Sequence, residues 1–156
     1  IAVCGTSDHG LTVYDMGVGI ALRTVQNAHD RPIHRISFLK GPMASSLPAE
    51  SLNTFITSSI DNCVKLWDLR TVACVRRFEG HYNRSQKVGA TISPCGRFIA
   101  TGSEDKACYV YDIGQGTLLS KLSGHTDVVS DVDWNTSFPL LVTCSHDSTV
   151  RFYSPP

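Results

Sequence analysis

Apolar and polar residues alternate along this chain in short runs, each cut by Gly, Pro, Asn or Asp. A period of two broken by turn formers predicts half-buried strands, not helices. The pattern is clearest near the end. Val128, Val129, Val132 and Trp134 mark one strand, residues 135–139 a turn and 140–144 a second strand. His146-Asp147-Ser148 then forms a tight turn before a strand at 149–153. Upstream, the string ATISPCGRFIATGSED over residues 90–105 reads as two strands joined by a hairpin at Pro94-Cys95-Gly96. Strands at 107–111 and 118–122 follow. Before them, Ile33, Ile36 and Phe38 point one way along a strand, followed by strands at 55–59, 63–67 and 72–78. The opening IAVCGTSDHGLTVYD starts at a second strand, and residues 20–25 close that unit. The expected count is three strands, then four, four and three.

One short string recurs in every unit. Trp67-Asp68 stands six residues after Asp61, Tyr111-Asp112 six after Asp105, Tyr14-Asp15 six after Asp8, and Tyr153-Ser154 six after Asp147. The aromatic positions lie 53, 44 and 42 residues apart. A period of roughly 40–45 residues with a Trp-Asp ending marks a propeller blade of four strands. The predicted fold is therefore all-β, with about three and a half four-stranded antiparallel blades in an incomplete ring. One domain covers residues 1–156, with units at 1–27 (lacking its first strand), 28–79, 80–123 and 124–156 (lacking its last). Uncovered blade faces and an unpaired edge are expected, and such surfaces recruit partners or aggregate.

These motifs resemble WD repeats over essentially the whole chain. The resemblance implies a hydrogen-bonded set in each blade: a His before the first strand, a Ser or Thr on the second, an Asp in the next turn and a Trp on the third. The second unit matches fully with His29, Thr57, Asp61 and Trp67. Trp has only an N–H to donate, a hydroxyl can accept it and donate onward to imidazole, and the other imidazole nitrogen can reach the carboxylate. The third unit offers His81, Thr101, Asp105 and Tyr111, and the fourth His125, Thr143, Asp147 and Tyr153. Tyr in place of Trp moves the donor and adds an acceptor, so these two sets are candidates for rearrangement. The first unit has Cys4 at the hydroxyl position. A hydrolase triad is not expected, because the grouping repeats in each blade and no oxyanion-hole signature accompanies it.

In the family, loops before the first strand and between the second and third form the face where partners often bind. By register the partner-binding candidates are Ser7, Pro32, His34, Ile60, Gln86, Glu104, Val128, Ser130 and His146. The string HYNRSQKV is two residues longer than its counterparts and puts Lys87 where a core residue is expected. An insertion at 39–54, rich in Gly, Pro and Ser, reads as a mobile loop. Residues 55–70, FITSSIDNCVKLWDLR, also fit the box by which many WD-repeat proteins engage the adaptor of cullin–RING ubiquitin ligases. Arg70 is its one discriminating position. A last unit ending after its third strand resembles the C-terminal half of a longer propeller. Such a half is expected to form a homo-oligomer or strand-exchanged assembly.

Composition narrows the function. The formal net charge is zero, and no basic stripe with interleaved aromatics occurs, so neither nucleic acid nor membrane is an expected partner. None of the six cysteines forms a C-x-x-C pair or stands at zinc spacing with a histidine, so no metal or other cofactor is expected. Unpaired cysteines in apolar strands fit a reducing, intracellular setting, cytoplasmic or nuclear. Sequons at Asn83 and Asn135 matter only in a secreted chain. Gly114-Gln115-Gly116 is a hairpin turn, since no helix follows it. The expected function is a non-catalytic interaction scaffold for a protein or peptide; the alternative is a substrate receptor of a cullin–RING ligase.

Overall fold

The computed structural model describes residues 1–40 and 53–154. These residues form fourteen strands and no helix. The first sheet holds β1 (Ala2–Gly5), β2 (Leu11–Asp15) and β3 (Ile20–Val25). The second holds β4 (Ile33–Phe38), β5 (Thr54–Ser59), β6 (Cys63–Asp68) and β7 (Ala73–Phe78). The third holds β8 (Ala90–Ile92), β9 (Phe98–Thr101), β10 (Cys108–Asp112) and β11 (Leu118–Leu122). The fourth holds β12 (Val129–Trp134), β13 (Leu141–Ser145) and β14 (Val150–Tyr153). Each sheet is an antiparallel meander in sequence order. The strands therefore group three, four, four and three, as the periodicity predicts. Most of the 39–54 insertion lies outside the described residues. None of the described residues builds a helix long and apolar enough to cross a membrane.

A meander puts its loops alternately at two ends. Loops before the first strand and between the second and third share one end, called here the upper face. The other loops share the lower face.

The core is not one cluster but three, each a seam between neighbouring blades. Leu11 and Val13 of blade 1 meet Phe55, Trp67 and Val72 of blade 2. Val64, Leu66 and Phe78 of blade 2 meet Ala90, Ile99 and Tyr111 of blade 3. Ala100 and Cys108 of blade 3 meet Val129, Val132 and Leu141 of blade 4. Alternation along the strands feeds both seams of an inner blade: Phe55 and Ile56 are adjacent in sequence, both buried, and belong to different clusters. Among the described residues the outermost faces have no such neighbour. Ile20 and Leu22 on blade 1, and Val150 and Phe152 on blade 4, stay exposed.

The first strands β4, β8 and β12 lie side by side. The register of β8 differs from the expectation. Lys87 points to solvent, while Val88 is buried to 1% and β8 begins at Ala90. The two extra residues are absorbed in the upper loop before Val88. Gly89 follows from crowding: a Cβ there would sit 1.8 Å from the Asp131 carboxylate of the next blade.

Candidate functional site

Blade 2 carries an unbroken chain of side-chain hydrogen bonds. Trp67 Nε1 donates to Thr57 Oγ1 at 2.8 Å. Thr57 Oγ1 lies 2.7 Å from His29 Nε2, and His29 Nδ1 lies 2.8 Å from Asp61 Oδ2. An ionised carboxylate only accepts, so His29 Nδ1 carries the proton. His29 Nε2 then accepts from the Thr57 hydroxyl, and every polar atom is satisfied. Burial pushes the Asp61 carboxyl up, but hydrogen bonds from His29 and from the amides of Asp30 and Cys63 outweigh it and hold it below its ordinary value. Thr57 is fully buried, which closes its hydroxyl to any substrate.

Blade 4 repeats part of this chain. His125 Nε2 and Nδ1 reach Thr143 Oγ1 at 2.8 Å and Asp147 Oδ2 at 2.9 Å. The Tyr153 hydroxyl is buried, has no partner among the described residues and does not extend it. The Thr149 hydroxyl, also bonded to Asp147, is the foremost cause holding that carboxyl well below the usual carboxylate range.

Blade 3 departs from the expected set. His81 bonds neither Thr101 nor Asp105. Its Nδ1 lies 3.3 Å from the Tyr111 hydroxyl, which donates to Glu79 O at 3.0 Å, and its Nε2 is buried with no partner among the described residues. Thr101 turns its hydroxyl to the carbonyls of Gly89 and Gly102. The Asp105 carboxylate is taken by the Tyr109 hydroxyl and Lys121 Nζ, both at 2.6 Å. Tyr109 stands where blade 2 has Lys65, whose ammonium instead reaches Ala28 O. A phenol at that place draws the carboxylate away from the histidine. Burial then pushes His81 down to about 4.

The partner-binding candidates separate into several environments. Ser7, Pro32 and His146 are exposed in upper-face loops, and Ile60 is half-buried in the β5–β6 turn. Val128 is half-buried, and its carbonyl accepts from the His146 amide. Ser130 donates to Cys144 O. Glu104 is occupied: its Oε1 accepts the amides of Arg84, Ser85 and Gln86, and Oε2 accepts the Ser85 hydroxyl. It clamps the longer loop that exposes Gln86. Burial pushes its carboxyl up, yet those donors leave it below its ordinary value.

His34 and Ser130 are brought together, with Arg35, Lys87, Val88, Gly89 and Asp131, around a cavity of about 190 Å³. His34 Nε2 donates to Val88 O at 2.9 Å, and burial depresses its pKa. Arg70 lies apart from these residues, in the lower-face loop after β6, where its guanidinium pairs with Asp68 at 3.1 Å. Of the rest of residues 55–70, Phe55 to Ser59, Val64, Leu66 and Trp67 are all buried.

Sequence reasoning missed Asn83, seen there only as a sequon. It is fully buried; its side-chain amide donates to Ser59 O, its backbone amide donates to Asn62 Oδ1, and its backbone carbonyl accepts from the Asn62 amide. It locks the longer loop of blade 3 onto blade 2. The signal was present: an Asn beside an extended loop, opposite another Asn in the preceding turn.

A second cavity, of about 540 Å³, opens on the lower side between blades 3 and 4. Phe98, Val110, Leu119, Leu122, Trp134 and Tyr153 are among its lining, and Trp134 Nε1 and the Tyr153 hydroxyl are buried there with no partner among the described residues.

Sheets stacked through private seams, each with its own version of one repeated hydrogen-bond device, define an open array of β-propeller blades, a class in which rigid strands carry loops for docking. A family model described as "WD domain, G-beta repeat" matches residues 22–68, 72–112 and 116–154. The chain belongs to the WD-repeat family. Each matched segment ends near a third strand and begins in or just before the outer strand of the preceding blade, so a sequence repeat straddles two blades. The chain is 34% identical over 112 residues to the WD repeat domain-containing protein 83 homolog of Dictyostelium discoideum, covering 72% of this chain and 34% of that protein. It is 39% identical over 92 residues to the WD repeat-containing protein 26 homolog of Drosophila melanogaster, covering 58% and 15%. It is 26% identical over 160 residues to the E3 ubiquitin-protein ligase COP1 of Arabidopsis thaliana, covering 94% and 22%. The chain thus spans about a third or less of these relatives. Its repeats mark it as a protein-interaction scaffold.

Proposed function

We propose that the upper-face loops of this chain present a rigid surface to a protein or peptide partner, and that the chain performs no bond-making step. One observation carries this reading. The groups that could suggest catalysis, His29, Thr57 and Asp61, satisfy one another in the interior, with Thr57 fully buried. The same device holds the loops it joins, and Glu104 fastens a further loop through three backbone amides. Loops held on a stiff base suit recognition. Alanine at His34, Gln86 and His146 together is expected to remove a discrete set of co-purifying proteins, measured by quantitative mass spectrometry against the unaltered chain. An identical captured set, with an unchanged circular dichroism spectrum, would refute it.

The second reading is a substrate receptor of a cullin–RING ligase. It is favoured by likeness to a relative named as an E3 ubiquitin-protein ligase, and by the exposure of Arg70 at the end of the 55–70 segment. Arg70→Glu is expected to abolish adaptor pull-down; retained pull-down would remove this route.

An intracellular setting fits the chemistry: all six cysteines are free thiols, and Asn83 is sealed inside, closed to glycosylation.

A further inference from the structure

Three inner strands meet near the upper face, and their charges do not balance there. Ile36, Ala90 and Val132 pair with Thr57, Thr101 and Thr143. Stepping back one residue from each puts Arg35, Gly89 and Asp131 at one level of blades 2, 3 and 4. His34, Val88 and Ser130 form the level above. His34 and Ser130 each stand where the strand register shifts, and a bulge of this kind re-aims a side chain. These residues and Lys87 line the cavity of about 190 Å³.

Blade 3 has no side chain at the lower level, and this decides what its neighbours can do. The Asp131 carboxylate lies across the Gly89 backbone, where a Cβ would collide with it. Passing over the glycine, it approaches Arg35 of blade 2, but only to 3.7 Å. A guanidinium fully engaged with a carboxylate stands at about 2.7–2.9 Å. Asp131 Oδ1 is also held by the Val132 amide at 3.0 Å, so the ion pair is half made. Lys87 makes no hydrogen bond or ion pair among the described residues. His34 adds no charge: burial, helped by the Lys87 ammonium, holds it below its ordinary value against the pull of Val88 O. Its Nε2 donates to that carbonyl, which leaves Nδ1 an acceptor with no partner among the described residues. The cavity therefore holds two cations, one carboxylate and a spare acceptor, in a chain whose formal net charge is zero. Glu104 does not offset the surplus locally, since it is committed to three loop amides.

We propose that this cavity receives a carboxylate side chain from an acidic segment of another protein, and that Asp131 occupies Arg35 until that carboxylate displaces it. This rests on the upper-face docking proposed above and names the partner's chemistry. A space of about 190 Å³ suits one side chain and falls short of the roughly 300–1,000 Å³ of a small-molecule or cofactor site. Arg35 offers a planar fork that matches a carboxylate, Lys87 adds a second donor, and a peptide N–H can donate to His34 Nδ1. Asp131 sets a threshold. An incoming group must meet Arg35 better than Asp131 does, which selects against neutral segments.

The test titrates the intact chain into fluorescein-labelled hexaglutamate, read by fluorescence anisotropy at about 0.15 M salt. Saturable binding is expected, and none to hexaglutamine carrying the same label. Lys87→Gln is expected to weaken binding by about fivefold, the upper end for an exposed ion pair, and Arg35→Gln by at least as much. Asp131→Asn removes the internal competitor and is expected to tighten binding by a similar factor. Arg97→Gln makes the same change of charge on the lower face and should leave binding unchanged, which separates this site from a general effect of net charge. Lys87 and Arg97 are both exposed, so these two variants keep the fold. No saturable binding, equal binding of hexaglutamine, an Arg97→Gln loss equal to that of Lys87→Gln, or no tightening in Asp131→Asn would each overturn the proposal. Failure of the upper-face reading shows differently, as an unchanged set of proteins captured by the His34, Gln86 and His146 alanine variant. If that variant loses partners while the Arg35→Gln, Lys87→Gln double variant keeps them all, only the acidic-segment proposal falls.

Discussion

Thr57→Val tests the blade-locking network with almost no change of shape. The variant deletes one hydroxyl that receives the Trp67 N–H and donates to His29 Nε2. Both groups are buried, at 3% and 1% exposure, and water cannot replace the lost partner. Each orphaned group costs about 1–3 kcal/mol, so the expected loss is about 3 kcal/mol, a fall of about 6–12 °C in Tm for a chain of this size. Two equivalent threonines supply internal controls. Thr143→Val strands only His125 Nε2, because Tyr153 makes no bond to the hydroxyl, so it should cost about half as much. Thr101→Val removes only a donor to the carbonyls of Gly89 and Gly102 and should cost about 1 kcal/mol. Urea denaturation followed by far-UV circular dichroism measures the order. A Thr101→Val effect equal to or larger than that of Thr57→Val would refute the claim that the hydroxyl's role is set by what it joins and not by its burial, which is complete in all three.

Acid should weaken the protein before its carboxylates titrate. His81 is pushed down to about 4 by burial, from an ordinary 6.5, so between those values the unfolded chain takes up a proton that the folded chain refuses. The stability it contributes is fully present above about 6.5 and falls by up to about 3 kcal/mol as pH drops toward 4, with half-buried His34 shifted in the same direction. His81→Gln should flatten the stability profile over that window; an unchanged slope would count against the assignment. The uncovered faces bearing Ile20 and Leu22 at one end and Val150 and Phe152 at the other should make the isolated chain self-associate. Size-exclusion chromatography with light scattering checks this, and a monodisperse monomer over a range of concentrations would contradict it.

Much of the architecture was legible because its causes are local. Period-two alternation cut by turn residues placed the strands, and β3 and β11 fall where the pattern puts them, at 20–25 and 118–122. The complete set of blade 2 was legible because each residue type there has one role it can play. Blade 3 was not, because a residue outside the motif decides its chemistry. Tyr109 sits two places before the motif aromatic, and only the folded sheet brings its hydroxyl to Asp105. The register of Lys87 and Val88 was hidden for a related reason: two added residues can be taken up by a loop or by a strand, and the choice depends on Asn62 and Glu104 holding that loop from the neighbouring turns. Arg70 illustrates the opposite case. Its type is clear in the sequence, but only the structure shows its guanidinium turned onto Asp68.

Three separate apolar seams in place of a single shared interior make this molecule tolerant of local damage. A cavity cut at Leu11 injures a boundary that Leu141 never touches, and no rearrangement need travel the length of the stack. Lineages can therefore lengthen or shorten such a protein by whole leaves, or vary one joint while its neighbours keep their shape. The vulnerable places are the two ends of the stack, where a leaf depends on whatever is set beside it.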